Sequence, residues 1–261
     1  MVAASALDPL LGGDPARVRT ALAAAAGGYL RNVIREPGVT CTVCADPVRG
    51  FDRCWRCAQL RRAAGVADVV APLSYAIAGT PSGALLRDYK NHPARKVREP
   101  LTAVITQLLW LGITGHERCV GAAAGVPVSA RVVIPSLTCR PGTHPLTEIA
   151  GAIGALGEEV TLRAAPDALC DRVLRPEKFV VTSAGAVQGR HVLVLDDMWT
   201  TGSNAQSATL ALRRAGAAAV SVMVVGRWLN PRYGRTADFI ATRLRGDYAP
   251  DLCPVTGGSC P

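Results

Sequence analysis

The chain has 261 residues, 49% hydrophobic and only 5% aromatic, with a formal net charge of +9. That length and apolar content exclude a disordered or fibrous chain and suit one sizeable domain with an appendage. The positive charge points to polyanionic partners, either nucleic acid or polyphosphorylated metabolites.

No apolar run reaches the roughly 18–20 residues of a membrane span, since residues 101–114 are few and broken by Gln107. Residues 1–14 lack the positive region and apolar run of a secretory signal, so a cytoplasmic protein with no membrane partner is expected. Residues 14–35 read as an amphipathic helix with Val18, Leu22, Leu30 and Ile34 on one face, weakened by Gly27-Gly28. Next come Cys41-x-x-Cys44 and Cys54-x-x-Cys57, with Pro47 and Gly50 supplying the turn between them. Two such knuckles make a tetrahedral four-thiolate zinc site, and four thiolates leave no open position, so the zinc is structural. A disulfide framework is disfavoured in a reducing compartment. Cys119, Cys139 and Cys170 stand alone and read as small buried hydrophobes.

Beyond the cysteine module, residues 69–77 read as a strand, 102–111 as a helix and 131–135 as a second buried strand. Residues 146–156 are a helix, and 180–181, 192–195 and 220–225 are strand-like. Helices alternating with apolar strands predict an α/β fold with a doubly wound, mainly parallel sheet. The expected organisation is a helical segment (1–37), a four-cysteine zinc module (38–62), an α/β domain (63–240) and a cysteine-containing C-terminal tail (241–261). In that tail Cys253 and Cys260 lie six positions apart. They fit a second metal, ligands to the first, a reversible disulfide, or an ordered tail packed near the zinc module.

The chemistry concentrates in Val192-Leu193-Val194-Leu195-Asp196-Asp197-Met198-Trp199-Thr200-Thr201-Gly202-Ser203-Asn204. Four apolar residues make a strand covered on both faces. Two carboxylates follow at its carboxyl end, where ligands bind in open α/β sheets. The Thr-Thr-Gly-Ser-Asn run then opens a helix over 205–215, so a phosphate would meet free N–H groups and the positive end of the helix dipole.

This segment resembles the 5-phosphoribosyl-1-diphosphate (PRPP) loop of type I phosphoribosyltransferases. The resemblance implies that Asp196 and Asp197 bind the ribose 2′- and 3′-hydroxyls and act in catalysis. Thr200, Thr201, Gly202, Ser203 and Asn204 would enclose the 5′-phosphate. Trp199 replaces an aliphatic residue of the family, and Asn204 stands where it has a hydroxyl. An acid at the Thr200 position marks the purine-salvage branch, and its absence argues against hypoxanthine or guanine as acceptor. The order of a four-cysteine module, a tyrosine strand with a downstream Lys, an Ile-Pro strand and the Asp-Asp-Thr-Thr-Gly loop is similar to the ComF-type members. That likeness spans roughly residues 38–230. The family's Arg-Gly-Phe-Asn-Gln stretch is represented here by Arg140-Pro141-Gly142-Thr143-His144, which keeps Arg and Gly.

The implied function is transfer of phosphoribosyl from PRPP to an unknown nitrogenous acceptor with release of pyrophosphate. Mg²⁺ would accompany PRPP, and zinc would be structural. The turn at 135–140 is the expected pyrophosphate loop, with Arg140 as its cation. Residues 163–178 are the expected lid, with Arg172, Arg175 and Lys178 facing phosphates. His92 is a weak acceptor contact, while His144 and His191 show no evident partners. The run Arg87, Lys90, Arg95, Lys96 and Arg98 is a candidate nucleic-acid patch or a solvated basic face. Alternative readings are a non-catalytic PRPP-binding regulator, or a zinc-dependent nucleic-acid-binding accessory protein in DNA uptake. A homodimer is one option for assembly.

Overall fold

The computed structural model describes residues 13–137, 143–157 and 160–261. In chain order its elements begin with helices α1 (Pro15–Ala26) and α2 (Trp55–Leu60) and strand β1 (Val70–Ile77). Then come α3 (Pro81–Asn91), α4 (Arg95–Ala124), β2 (Ala130–Val133) and α5 (Pro145–Ala152). The short strands β3 (Leu162–Ala164) and β4 (Phe179–Val181) and the one-turn helix α6 (Ala184–Val187) lead into β5 (His191–Trp199). Helix α7 (Ser203–Arg214), β6 (Ala219–Leu229) and α8 (Thr236–Arg243) complete the set.

The central sheet has the order β1-β6-β5-β2, and every pairing in it is parallel. The expected α/β class with a parallel sheet is therefore what the chain adopts. The register lines up Val70, Val222, Val194 and Val132 across all four strands. The neighbouring row is Ala71, Met223, Leu195 and Val133. Successive side chains of a strand point to opposite faces, so each row feeds its own core. The valines pack with α7 and the four cysteines, and the other row packs with α1, α3, α4 and α5. This is why β5 is apolar without alternation. Each face of the sheet is sealed.

The helix after β2 and the helix after β5 lie on opposite faces. Their divergence opens a crevice above the carboxyl ends of these two adjacent strands, the place where open α/β sheets bind ligands. Gly226 keeps β6 close to α3, since a Cβ there would run into Leu86.

Several boundaries differ from the sequence reading. The first helix stops at Ala26 with Gly27 as its cap, so Leu30 is buried from the connector instead of the helix. Residues 80–90, which carry no element in the sequence reading, are mostly the helix α3. Helix α4 is 30 residues long, reaching from Arg95 to a left-handed Gly125. It packs against α1 and α3 as well as the sheet, so tertiary burial extends it well beyond the apolar stretch 102–111. Helix α5 ends at Ala152 ahead of Gly154, whose positive φ of 67° stops it. Val180 and Val181 do not join the main sheet: β4 pairs antiparallel with β3 in a separate ribbon. Among the described residues no helix is long and apolar enough to cross a membrane.

Candidate functional site

Asp196 and Asp197 lie near the carboxyl end of β5, within hydrogen-bonded pairing to β6. Their environments differ. Asp197 is buried at 5% exposure, and its Oδ2 accepts from the Tyr89 hydroxyl at 2.7 Å and from the Lys90 ammonium. His144 Nε2 stands 3.9 Å from the same oxygen. Asp196 is half-buried, accepts the Asp197 N–H at 2.9 Å, and opens to two cavities. Burial, and then the Asp197 carboxylate, push its pKa up to about 8, with Lys90 pulling the other way.

The first cavity, about 120 Å³, is floored by the loop Thr200, Thr201, Gly202, Ser203 and Asn204 and walled by Asp196 and Arg172. Gly202 adopts a left-handed φ of 79° as the residue before α7. A side chain at that position would strike the Trp199 ring, which is buried beneath the loop at 1% exposure. Trp199 and Gly202 therefore form a pair: the large ring fills the floor, and the missing Cβ lets the backbone cross it. Thr201 Oγ1 and Ser203 Oγ lie 3.0 Å apart, so both hydroxyls face one spot at the amino end of α7. Free N–H groups and the helix dipole there favour an anion. Asn204 Oδ1 accepts from Lys178 Nζ at 3.2 Å.

The second cavity, about 320 Å³, runs from Asp196 and Asp197 across to Lys90, Asn91, Pro135, Ser136, His144 and Cys170. The two cavities meet at Asp196 and Asn204. A phosphate-sized hollow thus continues into a larger polar cleft past two acids and a lysine. Arg140 lies outside the described residues, as does Cys139.

Among the expected lid residues, Lys178 is buried and pairs with Asp171 at 2.7 Å, and Arg175 pairs with the same acid at 2.7 Å. The Arg175 N–H donates to Ser207 Oγ at 2.9 Å, fastening this segment to α7. Arg172 is exposed and reaches the loop cavity.

Four readings need correction. Cys170 is an exposed residue of the cleft, not a buried hydrophobe. Cys119 is buried but belongs to a cluster with His116, Cys253 and Cys260. His191 and His144 both have partners. His191 bridges the Val126 carbonyl and the Ser221 hydroxyl inside the core, and His144 accepts the Leu146 N–H at the start of α5. The basic run 87–98 is not a single face, because Lys90 points into the site while Arg87 and Arg95 pair with Asp88 and Glu99.

Cys41, Cys44, Cys54 and Cys57 bring their sulfur atoms within 4.8 Å of one another, and all four are buried. Cys44 and Cys54 sulfurs are 3.7 Å apart, matching the edge of about 3.8 Å that a tetrahedron of roughly 2.3 Å zinc–sulfur bonds requires. A disulfide would need about 2.05 Å. The Cys57 N–H points at the Cys54 sulfur, and Ala45 takes a left-handed φ of 58° where the first knuckle turns. The donor set fits zinc.

Sequence reasoning missed Arg227, which ties this cluster to the loop that opens α7. Its Nη1 donates to the carbonyls of Trp199 (2.9 Å), Thr200 (3.0 Å) and Trp228 (2.6 Å), and its Nη2 pairs with Asp46 at 2.5 Å. Burial opposes its charge, but Cys44, Asp46, Cys54 and Cys57 outweigh that cost and hold its pKa above the ordinary value. The only sequence signal was an Arg in an otherwise apolar strand, a pattern that costs energy unless the charge is paired.

No family model and no curated protein matches the chain. Among solved structures it is similar to the purine phosphoribosyltransferase from Pyrococcus horikoshii Ot3, at 15% identity, covering 40% of this chain and 77% of that one, with a TM-score of 0.23.

Two predictions follow from these contacts. Arg227→Lys keeps the charge but gives up the fork, and should cost roughly 1–3 kcal/mol in urea unfolding through carbonyls left unpaired. An unchanged midpoint would remove Arg227 from its bridging role. An acid with a raised folded pKa favours folding while protonated and loses that contribution as pH climbs from about 4 toward about 8. Asp196→Asn should therefore flatten the fall in Tm between pH 5 and 8, and raise Tm at pH 8 by roughly 2–4 °C, about 1 kcal/mol. The side chain's opening to the cleft holds the effect to that size. Parallel Tm–pH curves for the two proteins would assign Asp196 an ordinary pKa.

Proposed function

We propose that the chain is a phosphoribosyltransferase of ComF type, which binds PRPP and transfers its phosphoribosyl group to a nitrogenous acceptor. The observation behind this reading is the continuity of the two cavities across Asp196. The Thr201–Ser203 hollow suits a single phosphate, and the cleft beyond suits a sugar and its diphosphate.

In this reading the 5′-phosphate sits over the amino end of α7, held by the Thr201 and Ser203 hydroxyls and the Asn204 amide. Asp196 accepts one ribose hydroxyl. Asp197, whose Oδ2 is engaged by Tyr89 and Lys90, offers Oδ1 to the other. Lys90 and the turn at Pro135 and Ser136 face the diphosphate. Mg²⁺ arriving with the diphosphate would offset its charge, with Asp196 and Asp197 as the oxygen donors the cleft offers. The bond from C1 to the diphosphate oxygen breaks, leaving both electrons on oxygen. The acceptor nitrogen supplies the pair for the new C1–N bond and releases its proton to solvent. Positive charge building on the ribose ring is stabilised by the Asp197 carboxylate, held in place before reaction by Tyr89 and Lys90. The segment 165–175, carried between β3 and β4, brings Arg172 to the wall of the hollow.

Calorimetry of PRPP with Mg²⁺ should give saturable binding that Asp196→Ala with Asp197→Ala weakens at least about tenfold, or 1.4 kcal/mol. PRPP should also slow alkylation of Cys170. Binding without pyrophosphate release across a screen of nitrogenous acceptors would favour a PRPP-sensing regulator, and no binding to a folded protein would end both readings.

The zinc module carries an observation for a second reading. Phe51 and Trp55 are 69% and 65% exposed, with Arg56 stacked 4.8 Å over the Trp55 ring and Arg49 and Arg53 exposed beside them. Aromatic faces among arginines suit single-stranded nucleic acid. Binding of a single-stranded oligonucleotide should then weaken with salt along a log–log line, and Trp55→Ala should cost about 1–3 kcal/mol. A salt-insensitive signal, or one unchanged by the substitution, would dismiss this reading.

A further inference from the structure

We propose that His116, Cys119, Cys253 and Cys260 form a second structural zinc site, which fastens the C-terminal residues 246–261 to helix α4. The inference stands apart from the PRPP reading and uses none of its residues.

The four ligand atoms all lie within 4.8 Å of one another, with His116, Cys119 and Cys253 buried and Cys260 half-buried. Cys260 Sγ is 3.5 Å from His116 Nδ1, again close to the edge of a zinc tetrahedron and far beyond a covalent sulfur bond. His116 and Cys119 are three apart on α4, so they project from one face of the helix. Cys253 and Cys260 come from a turn built to present them. The Cys253 N–H donates to the Gly258 carbonyl and the Gly257 N–H to the Cys253 carbonyl, each at 2.8 Å. Gly257 takes a φ of 80°, and any side chain there would press on Arg35. The turn thus carries Cys253 and Cys260 to within reach of His116 and Cys119 on α4.

Three thiolates with one imidazole are a closed, soft donor set, which selects zinc over magnesium or calcium and leaves no open position. Loading would release the thiol protons to solvent. The mechanical need is visible too. Residues 246–261 contain no helix or strand, yet they cross α1 and the sheet. Tyr248 bonds the Gly27 and Leu73 carbonyls, Asn32 and Ala249 exchange two hydrogen bonds, and Asp251 pairs with Arg19. A segment without regular structure gains most from a clip that closes a long loop.

The test measures zinc per chain by mass spectrometry of the intact, folded full-length protein. Two zinc ions per chain are expected in the wild type. Cys260→Ser and His116→Ala should each lose one and keep the other, while His116→Cys restores the second. With cobalt in place of zinc, His116→Cys should shift the ligand-field absorption of one site only. One zinc in the wild type, two in Cys260→Ser, or a native mass lighter by a pair of hydrogens from a disulfide among these cysteines would each overturn the proposal. Because Cys260 is half-buried, its Ser variant should fold. The His116→Cys rescue separates metal binding from packing.

Discussion

One buried guanidinium joins the four-cysteine module to the loop that opens α7. Arg227 occupies the sheet-to-module boundary, where a positive charge would be prohibitively costly by itself. It is tolerated because Asp46 and the cysteine cluster supply negative charge, and because three backbone carbonyls accept hydrogen bonds from it. Two of those carbonyls belong to Trp199 and Thr200, where the loop that opens α7 begins. The four-cysteine module and the loop are thus joined through Arg227, whose charge Asp46 and the cysteine sulfurs help to balance.

The sequence made β5 and its loop legible because several constraints coincide there. A strand covered on both faces must be continuously apolar, its acids must fall at the carboxyl end, and Gly202 must precede a helix. Each demand leaves a mark in consecutive residues. Lys90 and Tyr89 were harder to read, since their role arises from α3 folding over the end of β5, and a helix face carries no signal of what it will meet. Arg227 was harder still: its partners lie in the chain near residues 46, 199 and 200, and nothing local announces them. The same reason hid half of the second cysteine cluster. Cys253 and Cys260 stand out by spacing, whereas His116 and Cys119 look like ordinary residues of a long helix until the tail reaches them.

The two cysteine clusters are also not independent. Arg35 donates to the Val43 carbonyl in the first module, to Val70 at the start of β1, and to Pro254 in the turn that presents Cys253. Arg35 and Arg227 thus flank the first cluster on two sides, one reaching toward the second cluster and the other toward the loop that opens α7. Burial disfavours the Arg35 charge, with the nearby cysteines opposing it only in part, and both arginines hold the backbone through their carbonyl contacts. Such a network is worth more than its separate pairs in a low dielectric, and losing one member leaves the others unpaired.

The unequal surroundings of Asp196 and Asp197 give this frame its chemical purpose. Asp197 is committed: Tyr89 and Lys90 hold one of its oxygens and fix its orientation. Asp196 lacks that support, opens to solvent in the cleft, and has its charge disfavoured by burial and by its neighbour. Two adjacent carboxylates cannot both be comfortable ions in a sparsely solvated crevice. The protein leaves the accessible acid as the unsatisfied one. A ligand that brings hydroxyl donors or a cation to Asp196 relieves that cost, so part of its binding energy is stored in the free protein.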